Sequence, residues 1–162
     1  PPPPRVALLI ETPSLTTVAP QITAVIRLVI PRSEIQHVMG PGIQELMGVV
    51  AAQGIGPIGA WFSHHLRMDP DVFDFEIGVP VSAPVAPSGR VVAGQLPAGK
   101  VAHTVLHGGY EGLGTGWGEF IAWIESQGLT SASNFWECYS KGPESSSNPA
   151  DWRTDLFRPV SG

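Results

Sequence analysis

A chain of 162 residues, 43% of them hydrophobic and 14% charged, can bury one core without disulfides or metal, and its single cysteine excludes an internal disulfide framework. A formal charge of −5, with nine Lys and Arg and no basic run, leaves no electrostatic footprint for a phosphate backbone. No apolar run reaches the roughly 20 residues of a spanning helix, and a lone thiol fits the reducing cytoplasm, so the expectation is a cytoplasmic protein with neither direct nucleic-acid nor membrane binding.

Pro1 to Pro4 lack an initiating Met and favour extended polyproline II, as a leader or an excised linker would, and are set outside the fold. Ile22 to Ile30 is β-branched and aliphatic and stops at Pro31, which predicts a strand buried on both faces or nearly so. Gly40-Pro41-Gly42 introduces a helix over residues 42–55, and Gly56-Pro57 breaks to a second strand, Ile58 to Leu66. Asp69-Pro70-Asp71 turns the chain into a third strand, Phe73 to Val81, giving β-α-β-β. The Pro- and Ala-rich stretch Ala83 to Gly89 connects this unit to the next. Val91 to Gly94 and Lys100 to His107 read as strands, and His107-Gly108-Gly109-Tyr110 leads to a helix over residues 116–129. Asn134 to Ser140 and Trp152 to Val160 read as its paired strands, separated by a polar loop, Gly142 to Asp151, expected to be exposed and mobile.

The two helices are two editions of one pattern. Gly54 and Gly128 stand 74 residues apart, and the same offset lays Ile43, Leu46, Met47 and Val50 on Trp117, Phe120, Ile121 and Ile124. Each set has the i, i+3, i+4, i+7 spacing of one helical stripe and ends in a Gly suited to a C-cap. Further on, Phe75-Glu76-Ile77-Gly78-Val79-Pro80-Val81 matches Thr154-Asp155-Leu156-Phe157-Arg158-Pro159-Val160 at an offset of 79, so the second copy has a linking loop five residues longer. The expected fold is therefore α+β: two β-α-β-β modules, about residues 20–82 and 90–161 of a single domain spanning 5–162, related by a pseudo-two-fold. A curved antiparallel sheet would carry both helices, whose stripes meet in a shared wall. The cleft between modules is the place to seek function.

Phe135-Trp136-Glu137-Cys138-Tyr139 is the sharpest local constellation. With the period of two in a strand, Phe135, Glu137 and Tyr139 share a face while Trp136 and Cys138 take the other. The commoner arrangement for such a carboxylate is an edge strand pointing to water; if the face is covered instead, burial raises its pKa and a cationic or donating ligand restores the balance. The offset of 74 sets Trp61, Ser63 and His65 against Phe135, Glu137 and Tyr139, so only the second module keeps the acid, and His65 could bond a bound polar group. Tyr110, in a Gly-rich approach to the helix, is placed to wall a pocket; Trp117 belongs to the helix stripe, a position more often core than ligand, and Trp123 lies at its edge, where it could rim a pocket. Adjacent His64 and His65 point to opposite faces and cannot chelate one ion, and His103 and His107 lie on a strand, so no metal is expected. Glu76 and Asp155 recur at matching positions, which suits structural pairing with Arg153 or Arg158. Cys138, lacking a basic neighbour, reads as inert.

Taken together, Ile30-Pro31-Arg32, Phe75 to Val81, His107-Gly108-Gly109-Tyr110-Glu111, Trp136-Glu137-Cys138-Tyr139 and Trp152-Arg153-Thr154-Asp155-Leu156 resemble the GyrI-like family, small-molecule-binding domains also found as effector-binding halves of bacterial transcription regulators. The resemblance implies a cleft between the modules that takes bulky apolar or aromatic molecules, cationic ones included, around a buried Glu two residues before a Tyr. Glu137 and Tyr139 fill those positions, with Trp61, His65, Tyr110, Trp117 and Trp136 as the remaining ligand-binding candidates. Some relatives hydrolyse cyclopropane-bearing DNA alkylators with the same Glu, which implies an alternative enzymatic role for Glu137 and Tyr110. A third implied role is that of an effector domain cut from a transcription regulator. No cofactor is implied, and a monomer or weak dimer is expected. His64-His65 stands where relatives often place an aromatic residue, and the chain has only two Tyr.

Overall fold

The computed structural model describes residues 10–68, 71–142 and 146–161, without the side chains of Arg32, Ile35 to Val38, Arg67 and Met68. Pro1 to Pro4, Asp69-Pro70 and Ser145 lie outside the described residues. The strands are β1 (Ser14–Val18), β2 (Gln21–Pro31), β3 (Phe62–Met68), β4 (Val72–Pro80), β5 (Val92–Leu96), β6 (Gly99–His107), β7 (Thr130–Ser131), β8 (Phe135–Lys141) and β9 (Arg153–Ser161). The helices are α1 (Ile35–Gln53) and α2 (Leu113–Ser126).

All pairings are antiparallel, in the order β1-β6-β9-β8-β3-β4-β2-β5, with β7 branching from β9. The result is a curled half-barrel carrying two helices. From the middle outward the order is β8, β9, β6 on one side and β3, β4, β2 on the other, so each β-α-β-β unit contributes its strands in the same sequence. The units join along β3 and β8, where Ser63 pairs with Glu137, the two residues that the 74-residue offset equates.

Each apolar stripe packs on its own half of the sheet. Leu46 and Val50 of α1 are buried against Ala24, Ile26, Leu28, Phe75, Ile77 and Val79, whereas Phe120 and Ile124 of α2 are buried against Ile10, Ala102, Leu106 and Leu156. The expected shared wall is thus corrected to two separate cores. A pleated sheet this wide offers each helix a full apolar face, so neither needs the other.

Helix and strand starts, and the burial of β2, also differ from expectation; α2 begins three residues early, at Leu113. Helix α1 begins at Ile35, after a 3-10 turn over Arg32–Glu34, and Pro41 lies inside it. Proline forfeits one intrahelical hydrogen bond, which sequence punctuation reads as a break; here the helix runs through it, and Met39, ahead of Pro41, packs against the first core. Gly42 faces the sheet so closely that a Cβ would collide with Ile77. Strand β3 begins at Phe62 rather than Ile58, after a cis Gly56-Pro57 bond. Strand β2 is buried at Thr23 to Ile26 and Leu28 but exposes Arg27 and Val29, so it is half-buried beyond its first turn of sheet rather than covered on both faces. The two predicted Gly caps are both in left-handed conformation, Gly54 at φ 68 and Gly128 at φ 70. The first strand, β1, had no signal beyond exposed Thr residues and pairs with β6 at the sheet edge.

Candidate functional site

Where the two cores fail to merge, a cavity of about 670 Å³ remains, within the range of small-molecule pockets. Its floor is the β3–β8 seam, with Trp61, His65, Phe135, Glu137 and Tyr139. Its walls are Leu113, Trp117 and Ile121 of α2, Met39 of α1, Phe73 of β4, Tyr110 of the preceding 3-10 turn, and Arg158 of β9. The helical stripe positions Trp117, since the residue that matches Ile43 of the first module leans from α2 over the seam. Both tyrosines of the chain take part: Tyr139 lies 4.1 Å from Trp61 between ring centroids and meets Tyr110 edge-on at 5.7 Å.

Glu137 is 7% exposed. Its Oε2 accepts from Trp117 Nε1 at 2.6 Å and its Oε1 from Tyr139 Oη at 2.7 Å. Ser63 Oγ lies 2.7 Å from Tyr139 Oη, and His65 Nε2 lies 3.3 Å from Ser63 Oγ. Each hydroxyl has one proton, so an ionised Glu137 fixes the direction of the whole chain. Tyr139 gives its proton to Glu137, Ser63 gives its proton to Tyr139, and His65 must therefore donate through Nε2 to Ser63. The His65 ring stacks between Phe75 at 5.2 Å and Phe135 at 4.9 Å, which holds it in that orientation.

Burial pushes the Glu137 carboxyl above its ordinary range, and the donors Trp117 and Tyr139 offset only part of the shift. Burial and the neighbouring Glu137 charge hold the Tyr139 phenol well above its ordinary range, so it stays a donor. The site is a carboxyl served by neutral donors alone, walled by aromatic rings, and next to open space. A cation entering that space would meet both a charge partner and π faces.

Of the residues predicted from sequence, Trp61, His65, Tyr110, Trp117, Glu137 and Tyr139 line this one cavity. Trp136 does not. It takes the opposite face of β8, stacked on Phe157 at 5.5 Å and edge-on to His64, as the period of two dictates. His64 shares that far face, with Nε2 3.1 Å from Asn134 Oδ1 and Nδ1 3.6 Å from Glu76. There too Asp155 accepts from His103, Arg153 and Ser140; burial would raise its pKa, but these donors outweigh burial and hold it well below the ordinary range. Trp123 packs into the core under α2 rather than rimming the pocket. Cys138 is an inert thiol: burial, with the Asp155 and Glu137 charges, pushes its pKa up to about 12. Among the described residues no three His, Cys, Asp or Glu side chains gather as a metal site, and no helix is long and apolar enough to cross a membrane.

Sequence reasoning missed Met39, Phe73, Leu113, Ile121, Phe135 and Arg158 as lining residues. For Arg158 the signal was present. The 79-residue offset equates it with Val79, a fully buried core residue of the first module, and an Arg at a core position asks for a reason.

A half-barrel whose two helix-covered halves leave an aromatic cavity around one buried acid defines a small-molecule-binding domain. The chain belongs to the GyrI-like family: the model of the GyrI-like small molecule binding domain matches residues 11–161. Among solved structures, it is similar to the EcmrR C-terminal domain, with TM-score 0.80 and 20% identity over 93% of this chain and 97% of that one. It is also similar to EcmrR in a DNA complex, with TM-score 0.81 and 20% identity over 94% of this chain but 58% of that regulator's length. A third similar structure, SAV2435 bound to tetraphenylphosphonium, gives TM-score 0.64 and 18% identity over 94% of this chain and 95% of that one. No curated protein matches the chain by sequence.

Proposed function

We propose that this domain binds bulky aromatic small molecules, cationic ones preferentially, in the cavity at the β3–β8 seam, with Glu137 as the anchor. The observation that carries this reading is a carboxyl 7% exposed, surrounded by neutral donors and aromatic rings, and lining a 670 Å³ cavity. Trp61, His65, Tyr110, Trp117 and Tyr139 are its ligand-contacting walls; Trp136 supports the seam from behind. In a transcription regulator the same cavity would be the effector site, a role that the full-length gene sequence tests directly.

Calorimetric titration with tetraphenylphosphonium tests the anchor. Glu137→Gln is expected to weaken the cation by about 1.5 to 3 kcal/mol while leaving its neutral isostere tetraphenylsilane, added from a cosolvent stock, unchanged. Equal losses for both ligands would overturn it.

The directed chain from His65 to Glu137 also favours a second reading, hydrolysis of cyclopropane-bearing electrophiles. In it Glu137 acts as general acid or base and Tyr110 stabilises charge on the leaving group. Mass spectrometry of the protein incubated with such an alkylator separates the readings: hydrated product released over many turnovers supports catalysis, and stoichiometric capture rejects it.

A further inference from the structure

Arg158 is the one feature of the cavity that a cation-binding site does not use. It is 9% exposed, and its guanidinium keeps its charge in any solvent. One hydrogen bond is satisfied, from Nε to the Ala132 carbonyl at 2.9 Å, and the guanidinium carbon lies 5.0 Å from the centre of the Phe135 ring. Among the described residues no carboxylate pairs with it. Asp155, three residues back on β9, faces the other side of the sheet and is taken by His103, Arg153 and Ser140. Glu137 is engaged by Trp117 and Tyr139. Burial lowers the Arg158 pKa and no neighbouring acid opposes the shift. A largely buried guanidinium without a charge partner is costly; its planar fork has donors left over, and the side chain lines the cavity.

We propose that Arg158 is an anion-binding subsite of this cavity, so that the preferred ligands are aromatic zwitterions: a cationic end against Glu137 and a carboxylate, sulfonate or phosphate ester against Arg158. The proposal rests on the cavity reading above and names its ligand class. Phe135 holds the two ends of the cavity together, in contact with Trp117 at 4.5 Å and under Arg158, while the rings of Trp61, Tyr110 and Trp117 also line the cavity that would take the aromatic body. In the first module the equivalent residue is Val79, fully buried in the core.

The test uses carboxybutyl-triphenylphosphonium and its methyl ester, which differ only in the carboxylate charge, titrated into the wild type, Arg158→Met and Glu137→Gln. The wild type is expected to bind the acid at least about tenfold more tightly than the ester. In Arg158→Met that ratio falls to near one through loss of acid affinity, with ester affinity equal to or above that of the wild type because a like charge has left the cavity; in Glu137→Gln both ligands weaken and the ratio persists. Arg158→Met keeps the aliphatic volume and removes an unpaired charge, so its thermal midpoint is expected at or above that of the wild type, which separates lost binding from lost fold. A ratio near one in the wild type, or one that survives in Arg158→Met, overturns the anion subsite. Ester affinity untouched by Glu137→Gln, with the acid still favoured, overturns the cation anchor and leaves the subsite standing; no binding of either compound overturns both.

Discussion

The two modules spend equivalent positions differently. In the first, Val79 and Phe75 are fully buried apolar residues; in the second, Arg158 and Thr154 occupy the matching places, and Glu137 stands opposite its own counterpart Ser63. Both halves wall the cavity with aromatic and apolar side chains, and the second half adds Glu137 and Arg158. At the positions matched by the sequence offsets, only the second half places a buried acid and a buried guanidinium at the cavity, and such groups cost stability.

The largest expected effect concerns the scaffold. Leu46→Ala and Phe120→Ala each remove a fully buried side chain, from different cores. Each is expected to cost about 2 to 5 kcal/mol in denaturant unfolding, and the double variant should equal the sum within about 0.5 kcal/mol. Strong non-additivity would mean that the two halves share a core after all.

Next comes the pair of acids that recur in both copies. Asp155 has three donors, whereas Glu76 has His64 at 3.6 Å. Asp155→Asn is expected to cost about 1 to 3 kcal/mol, and Glu76→Gln about 0.5 kcal/mol or less. Because the folded Asp155 pKa is depressed, its contribution is fully present above its ordinary value of 3.8 and is lost as pH falls towards the folded value. An acid titration of thermal midpoints should show the wild type converging on Asp155→Asn at low pH.

Glu137 carries the opposite sign. Its folded pKa is raised, so its contribution to stability is present below the ordinary value of 4.5 and is lost as pH rises through the folded value. Relative to Glu137→Gln, the free wild type should therefore lose stability as pH rises across that window. Cation affinity should climb over the same window, by at most about tenfold per pH unit, because one proton is released on binding. Titrations of tetraphenylphosphonium at stepped pH check this, and a flat profile would remove Glu137 from the binding reaction.

The smallest effect sharpens the seam itself. Ser63→Ala removes the donor that orients Tyr139 towards Glu137 and is expected to weaken cation binding by about 0.5 to 1.5 kcal/mol in calorimetry. Equal weakening of a neutral isostere would assign Ser63 to general packing rather than to orientation of the acid.

The helix stripes, the strand alternation and the offsets of 74 and 79 residues are local periodicities, and the chain alone determined them because side-chain direction follows backbone period. The same rule placed Glu137 with Phe135 and Tyr139, and put Trp136 on the far face even where family resemblance suggested a wall. Three things depended on the assembled molecule. The start of α1 ahead of Pro41 is one, with Met39 of that turn packed against the first core. The separation of the two cores, and hence the existence of the cavity, was decided by sheet curvature and strand order. The partners of Glu137 and the lack of one for Arg158 were decided by which residues, distant in the chain, arrive across the β3–β8 seam, because desolvation and charge pairing are properties of a surrounding that no single segment carries.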